Sequence, residues 1–188
     1  YRRQRQMCIR DSDRGELAEE IREDAHIRYT RGYDPLSLIW NETEKSYFVP
    51  DEMGSTLFLL DKEHEIQKTY RYDAFGAILD ESGDTFNRLT YTGQMYDGAM
   101  RQYYLRARFY NPSIGRFMQE DVYHGDGLNL YAYCANNPVM YFDPYGFAKK
   151  APLCVGGKTA AQCETFEEVQ YFMRVRTTPT AVSYTHLR

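Results

Sequence analysis

Short tyrosine-rich segments separated by turn-forming residues restrict the fold of this chain more than any other feature of its sequence. The chain has 18 tyrosines, and many stand beside Asp, Arg or Asn near a Gly, as in "RGYDPLS", "YRYDAFG", "MYDG" and "YFDPYG". Aromatic residues favour strands, whereas Asp, Asn and Gly favour turns. The recurrence therefore indicates one structural unit, a short strand that ends in a Tyr-Asp turn, used repeatedly along the chain.

The spacing of these segments predicts a mainly β fold, an antiparallel meander or ribbon. Turns such as "PDEMGS" and "DKEHE" separate the apolar and aromatic runs. Short helices are expected only near the ends, because residues 15–26 are rich in helix formers and residues 165–176 begin with a capping box. The predicted strands comprise residues 46–50, 56–60, 65–72, 77–79, 88–92, 102–110 and 115–117.

The segment "QYYLRARFYNPSIGRF", residues 102–117, has the alternation of a strand followed by a turn. Because strand side chains point to opposite faces in turn, the arginines are expected on a polar sheet face with tyrosines stacked on them, or on a face turned toward a cavity. Residues 111–115 have turn chemistry, so residues 116–117 should begin a returning strand. The predicted faces are Tyr103, Leu105, Ala107 and Phe109 on one side and Tyr104, Arg106, Arg108 and Tyr110 on the other.

The two ends of the chain carry short segments whose coding sequences are reverse complements of each other. "MCIRDS" is encoded by ATG TGT ATA AGA GAC AG, and the reverse complement of that string, CT GTC TCT TAT ACA CAT, encodes the V-S-Y-T-H found in the terminal "AVSYTHLR". This relation is typical of a translated transposon-end adapter from a sequencing library. Residues 1–12 and 182–188 are therefore interpreted as adapter sequence and carry no functional argument.

Composition restricts the possible partners. The adapter segments hold five of the 23 basic residues and one of the 27 acidic residues, which leaves a net charge of −8; a nucleic-acid binder would have a basic excess. Cys134, Cys154 and Cys163 lack the spacing of a metal site, so neither a metal nor a cofactor is expected. A Cys154–Cys163 bridge in an exported protein and ordinary unpaired thiols both stay open. No apolar run reaches about 18 residues, so no membrane span is expected.

Three stretches in a fixed order carry a resemblance to a known family. They are "GSTLFLLDKEHEIQKTYRYDAFGAIL", "YTGQMYDGAMRQYYLRARFYNPSIGRFMQED" and "GLNLYAYCANNPVMYFDPYGFA". Together they resemble the core domain that ends the repeat arrays of Rhs and YD-repeat proteins, over residues 28–147. A single Tyr-Asp turn would be a weak signal, whereas the ordered combination is specific.

The resemblance implies a β-sheet ribbon that spirals into a hollow shell, with this core at the closing C-terminal end. In the family, such shells enclose a variable C-terminal toxin, which many members deliver into competing bacteria or host cells. The expected partners are therefore the chain's own C-terminal toxin segment, an immunity protein and a delivery machinery. The expected location is secreted or at the surface of a bacterium.

Some family members resemble self-cleaving aspartyl proteases that carry two Asp-Pro-x-Gly motifs and cut just after the core. The second motif is intact here as "DPYG", which begins at Asp143, whereas the first aligns with "DVYH", which begins at Asp121 and lacks Pro and Gly. The interval of 22 residues between the two aspartates preserves the family register. Without Pro and Gly, the first motif lacks the turn that would orient the carboxylate of Asp121.

The resemblance further implies roles for individual residues. The carboxylates of Asp121 and Asp143 would share acid and base roles, and Arg116, in the family's "GRF", would hold or polarise them. Scission would then fall near Phe147 and Ala148. Residue chemistry alone offers simpler interpretations, since Asp-Pro-x-Gly is also good type I turn chemistry and Asp121 has the alternative of a solvated loop acid.

The chain is accordingly divided into a helical lead-in at residues 13–27, the core at 28–147, and the start of a variable region at 148–181. The leading hypothesis is a structural shell that packages a toxin and cleaves itself at most once. The alternative is a cell-surface array that binds glycans or proteins. Tyrosines packed between strands would favour the shell, and exposed coplanar tyrosines would favour binding. A diffusible enzyme is the weakest hypothesis, because no nucleophile, metal or phosphate motif occurs.

Overall fold

Two antiparallel sheets form this protein in the computed structural model, which describes residues 8–11, 16–22, 25–32, 34–122 and 128–150. The first sheet has eight strands and the second has four, and each strand pairs with its neighbour in the sequence. The mainly β meander predicted from the sequence is therefore confirmed. The helix expected at residues 165–176 lies outside the described residues.

The strands are short, as the spacing of the turns predicts. The first sheet comprises β1 (Cys8–Asp11), β2 (Leu17–Ile21), β3 (His26–Arg31), β4 (Pro35–Trp40), β5 (Glu44–Pro50), β6 (Thr56–Leu60), β7 (Ile66–Tyr72) and β8 (Ile78–Ser82). The second comprises β9 (Met95–Asp97), β10 (Gln102–Tyr104), β11 (Phe109–Asn111) and β12 (Arg116–Phe117). Two single 3-10 turns occur in the described residues, at Tyr91–Gly93 and Cys134–Asn136.

One turn design joins several of these strands. After β5, β6 and β7, an aspartate accepts two backbone N–H bonds through its Oδ1 atom, from the residues two and four positions later. The residue three positions after the aspartate has a positive φ and donates its N–H to the aspartate carbonyl. The three turns begin at Asp51, Asp61 and Asp73. Of these three, only the Asp73 turn lies in a Tyr-Asp segment, "YRYDAFG", since Asp51 follows Pro50 and Asp61 follows Leu60.

The helix predicted over residues 15–26 is wrong, because β2 and the start of β3 occupy this segment. Leu17 packs in a cluster with Ile27 and Leu38, and the backbone of β2 pairs along β3. Helix propensity differs between ordinary residues by a few tenths of a kcal/mol. Burying one leucine contributes about 2 kcal/mol, so packing against the sheet outweighs the local preference.

The single strand predicted over residues 102–110 is also wrong. The chain turns back after β10, because Arg106 adopts a left-handed conformation with φ +63° and the Leu105 N–H donates to the Arg108 carbonyl. Tyr103 and Tyr110 consequently pair across the ladder between β10 and β11, and both are fully buried. They therefore lie on the same face of the sheet, whereas strand alternation in the sequence predicts opposite faces for them. The returning strand predicted after the turn at residues 111–115 is confirmed as β12.

The segment predicted as a strand at residues 88–92 also departs from the prediction. Leu89 makes one isolated bridge to Met95, and a 3-10 turn follows, with φ +48° at Thr92. This turn lets the chain leave the first sheet and start the second one. β3, β4 and β9 lie in segments for which the sequence predicts no strand.

The two sheets have chemically different cores. The first buries an aliphatic cluster that includes Ile27, Leu38 and Leu59, whereas the second buries a cluster of aromatic side chains. The members of that second cluster are Tyr91, Tyr103, Leu105, Tyr110, Phe117, Tyr133 and Cys134. Tyr110 stacks on Tyr133, with their ring centroids 4.0 Å apart.

Tyrosine hydroxyls connect the second sheet to the Asp73 turn of the first. Tyr91 donates to the carbonyl of Ala74 at 3.0 Å, and Tyr110 donates to that of Phe75 at 2.7 Å. Tyr103 donates to the carbonyl of Gly76, also at 2.7 Å. Three successive carbonyls of one turn are thus satisfied by three rings of the aromatic core, which fixes how this turn sits on the second sheet.

β1 lies inside the segment interpreted as adapter sequence. It pairs with β2 through a backbone ladder from Cys8 and Ile21 to Asp11 and Leu17. An unpaired sheet edge accepts an extended segment through main-chain hydrogen bonds whatever its sequence. The pairing therefore identifies the outer edge of β2 as competent to receive a further strand.

Candidate functional site

Asp143 begins a turn that resembles the Asp73 turn, but in a buried place. The Oδ1 atom of Asp143 accepts N–H bonds from Tyr145 at 3.1 Å, Gly146 at 2.8 Å and Phe147 at 3.3 Å. Gly146 thus donates to the carboxylate, whereas Gly76 donates to the carbonyl of Asp73. Gly146 has φ +74°, and a Cβ atom there would lie 2.6 Å from the Leu105 carbonyl oxygen. The turn predicted from Asp-Pro-x-Gly chemistry is present, and it leaves the second carboxylate oxygen, Oδ2, for another partner.

That partner is Arg108, which also binds Asp121. The Nη2 atom of Arg108 lies 2.7 Å from Oδ2 of Asp121 and 3.8 Å from Oδ2 of Asp143. All three side chains are buried, with at most 8% of their side-chain surface exposed. One guanidinium therefore brings together the two carboxylates that the sequence singled out, although they lie far apart along the chain.

The guanidinium of Arg108 is fixed on every side. Its Nε atom donates to the carbonyl of Gly146 at 2.6 Å, and its Nη1 atom donates to the carbonyl of Leu130 at 3.1 Å. Its carbon Cζ lies 3.6 Å from the ring centroid of Phe117. Asp121 is held by the same segment, since its backbone N–H donates to Leu130 at 3.0 Å.

Arg116, the arginine that the resemblance assigned to the pair, lies elsewhere. It is exposed on β12, where it pairs with Asn111 and bridges to Ala132. Among the described residues, the ion pairs to the two aspartates come from Arg108. The sequence did contain a signal for Arg108, because Arg106 and Arg108 stand in an aromatic run. Strand alternation placed them on a polar sheet face instead.

The stacking partners of Tyr104 and Tyr110 also differ from those expected from the sequence. Tyr104 contacts Phe109 with centroids 5.2 Å apart, and Tyr110 stacks on Tyr133. The guanidinium groups lie over other rings, Arg108 over Phe117 and Arg106 over Tyr145. The turn at Arg106 causes this exchange, because it directs both arginines toward the Asp143 turn.

A small cavity of about 20 Å³ adjoins the carboxylate pair. Its lining includes Arg108, Asp121, Asp143 and Phe147. A cavity of this size has room for one water molecule. The place is therefore large enough for one water molecule next to both carboxylates and to Phe147.

The chain beyond the turn is held by one antiparallel bridge. The Phe142 N–H donates to the Lys150 carbonyl at 2.8 Å, and the Lys150 N–H donates back at 2.7 Å. The residues between them, which include the predicted scission point, form a closed loop. Both sides of the predicted scission point are therefore anchored to the core.

Comparison with known proteins identifies the family. The family model described as Teneurin YD-shell matches residues 15–153 of the chain. The chain belongs to the Teneurin YD-shell family. This membership confirms the predicted resemblance to Rhs and YD-repeat proteins.

Relatives of this YD-shell chain include much longer proteins. The tRNA3(Ser)-specific nuclease WapA of Bacillus spizizenii is 38% identical over 129 residues, which span 63% of this chain and 5% of the relative. The toxin protein Tse5 of Pseudomonas aeruginosa is 32% identical over 122 residues, which span 64% of this chain and 9% of the relative. The chain thus corresponds to less than a tenth of the length of either relative.

Solved structures share the YD-shell fold. The crystal structure of TcdB2-TccC3 without its hypervariable C-terminal region matches with a TM-score of 0.62 and 23% sequence identity. The match covers 75% of this chain and 8% of that one. At this identity the likeness establishes the fold.

Burial distinguishes the Asp143 turn from the Asp73 turn of the YD-shell core. Burial raises the pKa of the Asp143 carboxyl above its ordinary value, while the N–H bonds from Tyr145 and Gly146 and the charge of Arg108 act to lower it. A carboxyl in this setting holds its proton more readily than an exposed one. Asp73, by contrast, is exposed at the surface.

The described part of the chain has neither a metal-binding cluster nor a membrane-spanning helix. There, no group of three or more His, Cys, Asp or Glu side chains is arranged to hold a metal ion. Within the same residues, no helix has the length and apolar character needed to cross a membrane. Cys134, the cysteine for which the structure describes the side chain, is buried.

Proposed function

We propose that this chain is the shell-closing core of an Rhs/YD-repeat polymorphic toxin. In this proposal the core encloses a C-terminal toxin and releases it by one aspartyl-type cleavage of its own backbone after the Asp143 turn. The observation that carries the proposal is the buried pair of Asp121 and Asp143 on one guanidinium, beside the backbone at Phe147.

The names of the relatives support a toxin-bearing shell. They include tRNA nucleases, the toxin protein Tse5 and a double-stranded DNA deaminase toxin from Burkholderia cenocepacia. These activities differ, whereas the matched segment is shared. A shared shell core with a variable toxin accounts for that pattern. The proposed partners are the toxin segment, an immunity protein and a delivery machinery, and the proposed location is secreted or at the bacterial cell surface.

The proposed chemistry is hydrolysis of the peptide bond between Phe147 and Ala148. Asp121, which lies closest to the Arg108 guanidinium, acts as the carboxylate base and takes a proton from water as its oxygen attacks the Phe147 carbonyl carbon. Asp143, whose burial favours the protonated form, donates a proton to the carbonyl oxygen. The C–N bond then breaks as Asp121 passes the proton it took from water to the Ala148 nitrogen, and Asp143 takes back a proton from the tetrahedral intermediate, which becomes the carboxyl group of Phe147.

The packing of the tyrosines supports the shell over the glycan-binding alternative. The rings of Tyr103, Tyr110 and Tyr133 are fully buried, and their neighbours are other aromatic rings. A sugar-binding platform needs aromatic faces open to solvent. The alternative keeps one supporting observation, the name of a relative from Aedes aegypti, salivary gland surface protein 1, which is 30% identical over 119 residues.

The decisive experiment expresses the full-length protein and follows its cleavage on a denaturing gel. We expect two bands, and we expect Asp143→Asn to abolish the smaller one because the amide cannot act as an acid in the same way. Asp73→Asn is the matched control, since Asp73 is the first residue of a similar turn and is exposed at the surface. A parent chain that stays intact, or an Asp143→Asn variant that is still cut, would refute self-cleavage at this site.

A further inference from the structure

We propose that Arg106 is a positioning residue for the proposed self-cleavage, and that Glu16 makes its action depend on the docking of β2 and of Glu16 directly before it. This inference rests on the proposed function and adds a condition to it. The turn that carries Asp143 would be held in its cleavable geometry only when the preceding part of the ribbon is in place.

Arg106 contacts the Asp143 turn through its guanidinium group. Its Nη1 atom donates to the carbonyl of Pro144 and to Oε1 of Gln94, the latter at 2.9 Å. Its guanidinium carbon lies 5.1 Å from the ring centroid of Tyr145. Arg106 thereby fixes the peptide unit between Pro144 and Tyr145.

The contact completes a series of three hydrogen bonds along the turn. The carbonyls of Pro144, Tyr145 and Gly146 are bound in order by the Arg106 side chain, the Ala107 N–H and the Arg108 side chain. Three consecutive donors therefore hold three consecutive carbonyls. Removal of the first donor would free one end of the turn while leaving the bond between Arg108 and Gly146 intact.

Glu16 supplies the link to the first sheet. Its Oε1 atom lies 3.4 Å from Nη2 of Arg106, and its Oε2 atom lies 3.3 Å from Nε of Arg31. At most 19% of each of these three side chains is exposed, so solvent screens their charges weakly. Glu16 is the residue directly before β2.

The charges explain why docking of this segment would matter. Without the Glu16 carboxylate, the like charges of Arg31 and Arg106 would repel each other, and Asp34 would be left as an acid near Arg31. Removing one partner of such a group leaves the remaining charge uncompensated, which costs more than the pair contributes. Arg106 would then favour solvent over the carbonyl of Pro144, and the Asp143 turn would lose its anchor.

A cleavage time course in the full-length protein tests the inference. We expect Arg106→Gln to slow cleavage by about tenfold, because a misplaced scissile group loses rate steeply, and Arg106→Lys to recover part of that loss. We expect Glu16→Gln to slow cleavage by about threefold. The double variant should be no slower than Arg106→Gln alone, since both substitutions remove the same contact.

Two controls separate positioning from general damage. Arg71→Gln changes an exposed arginine on β7 and should leave the rate unchanged. The pH profile of cleavage in Arg106→Gln should keep the midpoints of the parent, because the carboxylate pair and Arg108 are untouched. A shifted profile, additive losses in the double variant, or a parental rate in Arg106→Gln would overturn the inference alone. A parent chain that is never cleaved would overturn the proposed function and this inference together.

Discussion

Arg108 determines the chemistry of the site at the scale of single residues. Two carboxylates buried together would repel each other, and the guanidinium between them lowers that repulsion. The same side chain binds the Gly146 carbonyl, so it couples the charge of the pair to the backbone that carries the predicted scission point. Arg108 therefore serves electrostatics and geometry at once.

Replacement of Arg108 should produce a pH-dependent loss of stability. The Arg108 charge acts against the raised pKa of Asp143, so Arg108→Gln should raise that pKa further. A raised carboxyl pKa stabilises the folded state below the pKa of the unfolded chain, and this contribution is lost as pH rises through the folded value. We expect a loss of about 3 kcal/mol at neutral pH and a smaller one near pH 4, measured as urea midpoints relative to the parent. Equal losses at both pH values would contradict this account.

Hydrogen bonding within the aspartate turns could be predicted from the sequence, whereas the site could not. Asp-x-x-Gly chemistry is local, so the turns at Asp51, Asp73 and Asp143 follow from adjacent residues. The meeting of Arg108 with Asp121 and Asp143 depends on contacts between distant segments. Alternation arguments failed there because one left-handed residue, Arg106, reverses the strand.

At the scale of elements, the same turn is used for structure in one place and for the candidate site in another. The Asp73 turn presents its carbonyls to neutral tyrosine hydroxyls, whereas the Asp143 turn presents its carbonyls to two guanidinium groups and a backbone N–H. Both aspartates accept backbone N–H bonds through Oδ1, whereas the donors to the turn carbonyls differ. The chemistry available at each turn thus depends on what surrounds it.

Gly76 should be essential to the Asp73 turn. It has φ +87°, and a Cβ atom there would lie 2.4 Å from the ring of Tyr91. We expect Gly76→Ala to cost at least about 1 kcal/mol through backbone strain alone, with the ring clash in addition, measured by urea unfolding. Gly98→Ala is the matched control, since a Cβ atom there meets nothing within 4 Å. Equal unfolding midpoints for the two variants would disprove the argument.

At the scale of the whole molecule, the aromatic core attaches the second sheet to the first through hydroxyl groups. Tyrosine suits this role because its ring packs like an apolar side chain while its end donates a hydrogen bond. Burial raises the pKa of these phenols, so they stay protonated donors throughout the neutral range. The abundance of tyrosine in the sequence predicts strands, but it does not reveal which hydroxyls join the sheets.

Tyr103→Phe should measure one such connection. The substitution removes the donor at 2.7 Å from the Gly76 carbonyl in a fully buried place. We expect a loss of about 1–2 kcal/mol, because the carbonyl is left unsatisfied. Tyr104→Phe, a change on the next residue of β10 whose ring is only half-buried, should alter the urea midpoint less. A larger effect of Tyr104→Phe would argue against the role given to the hydroxyl of Tyr103.

The bridge between Phe142 and Lys150 separates breaking the chain from losing the part beyond the break. The two hydrogen bonds of this bridge join residues on either side of the predicted scission point. Hydrolysis of the bond after Phe147 would therefore leave a nicked hairpin whose two arms are still hydrogen-bonded to each other. Departure of the downstream arm would then be a second, mechanical event, sensitive to pulling or unfolding and indifferent to the aspartates.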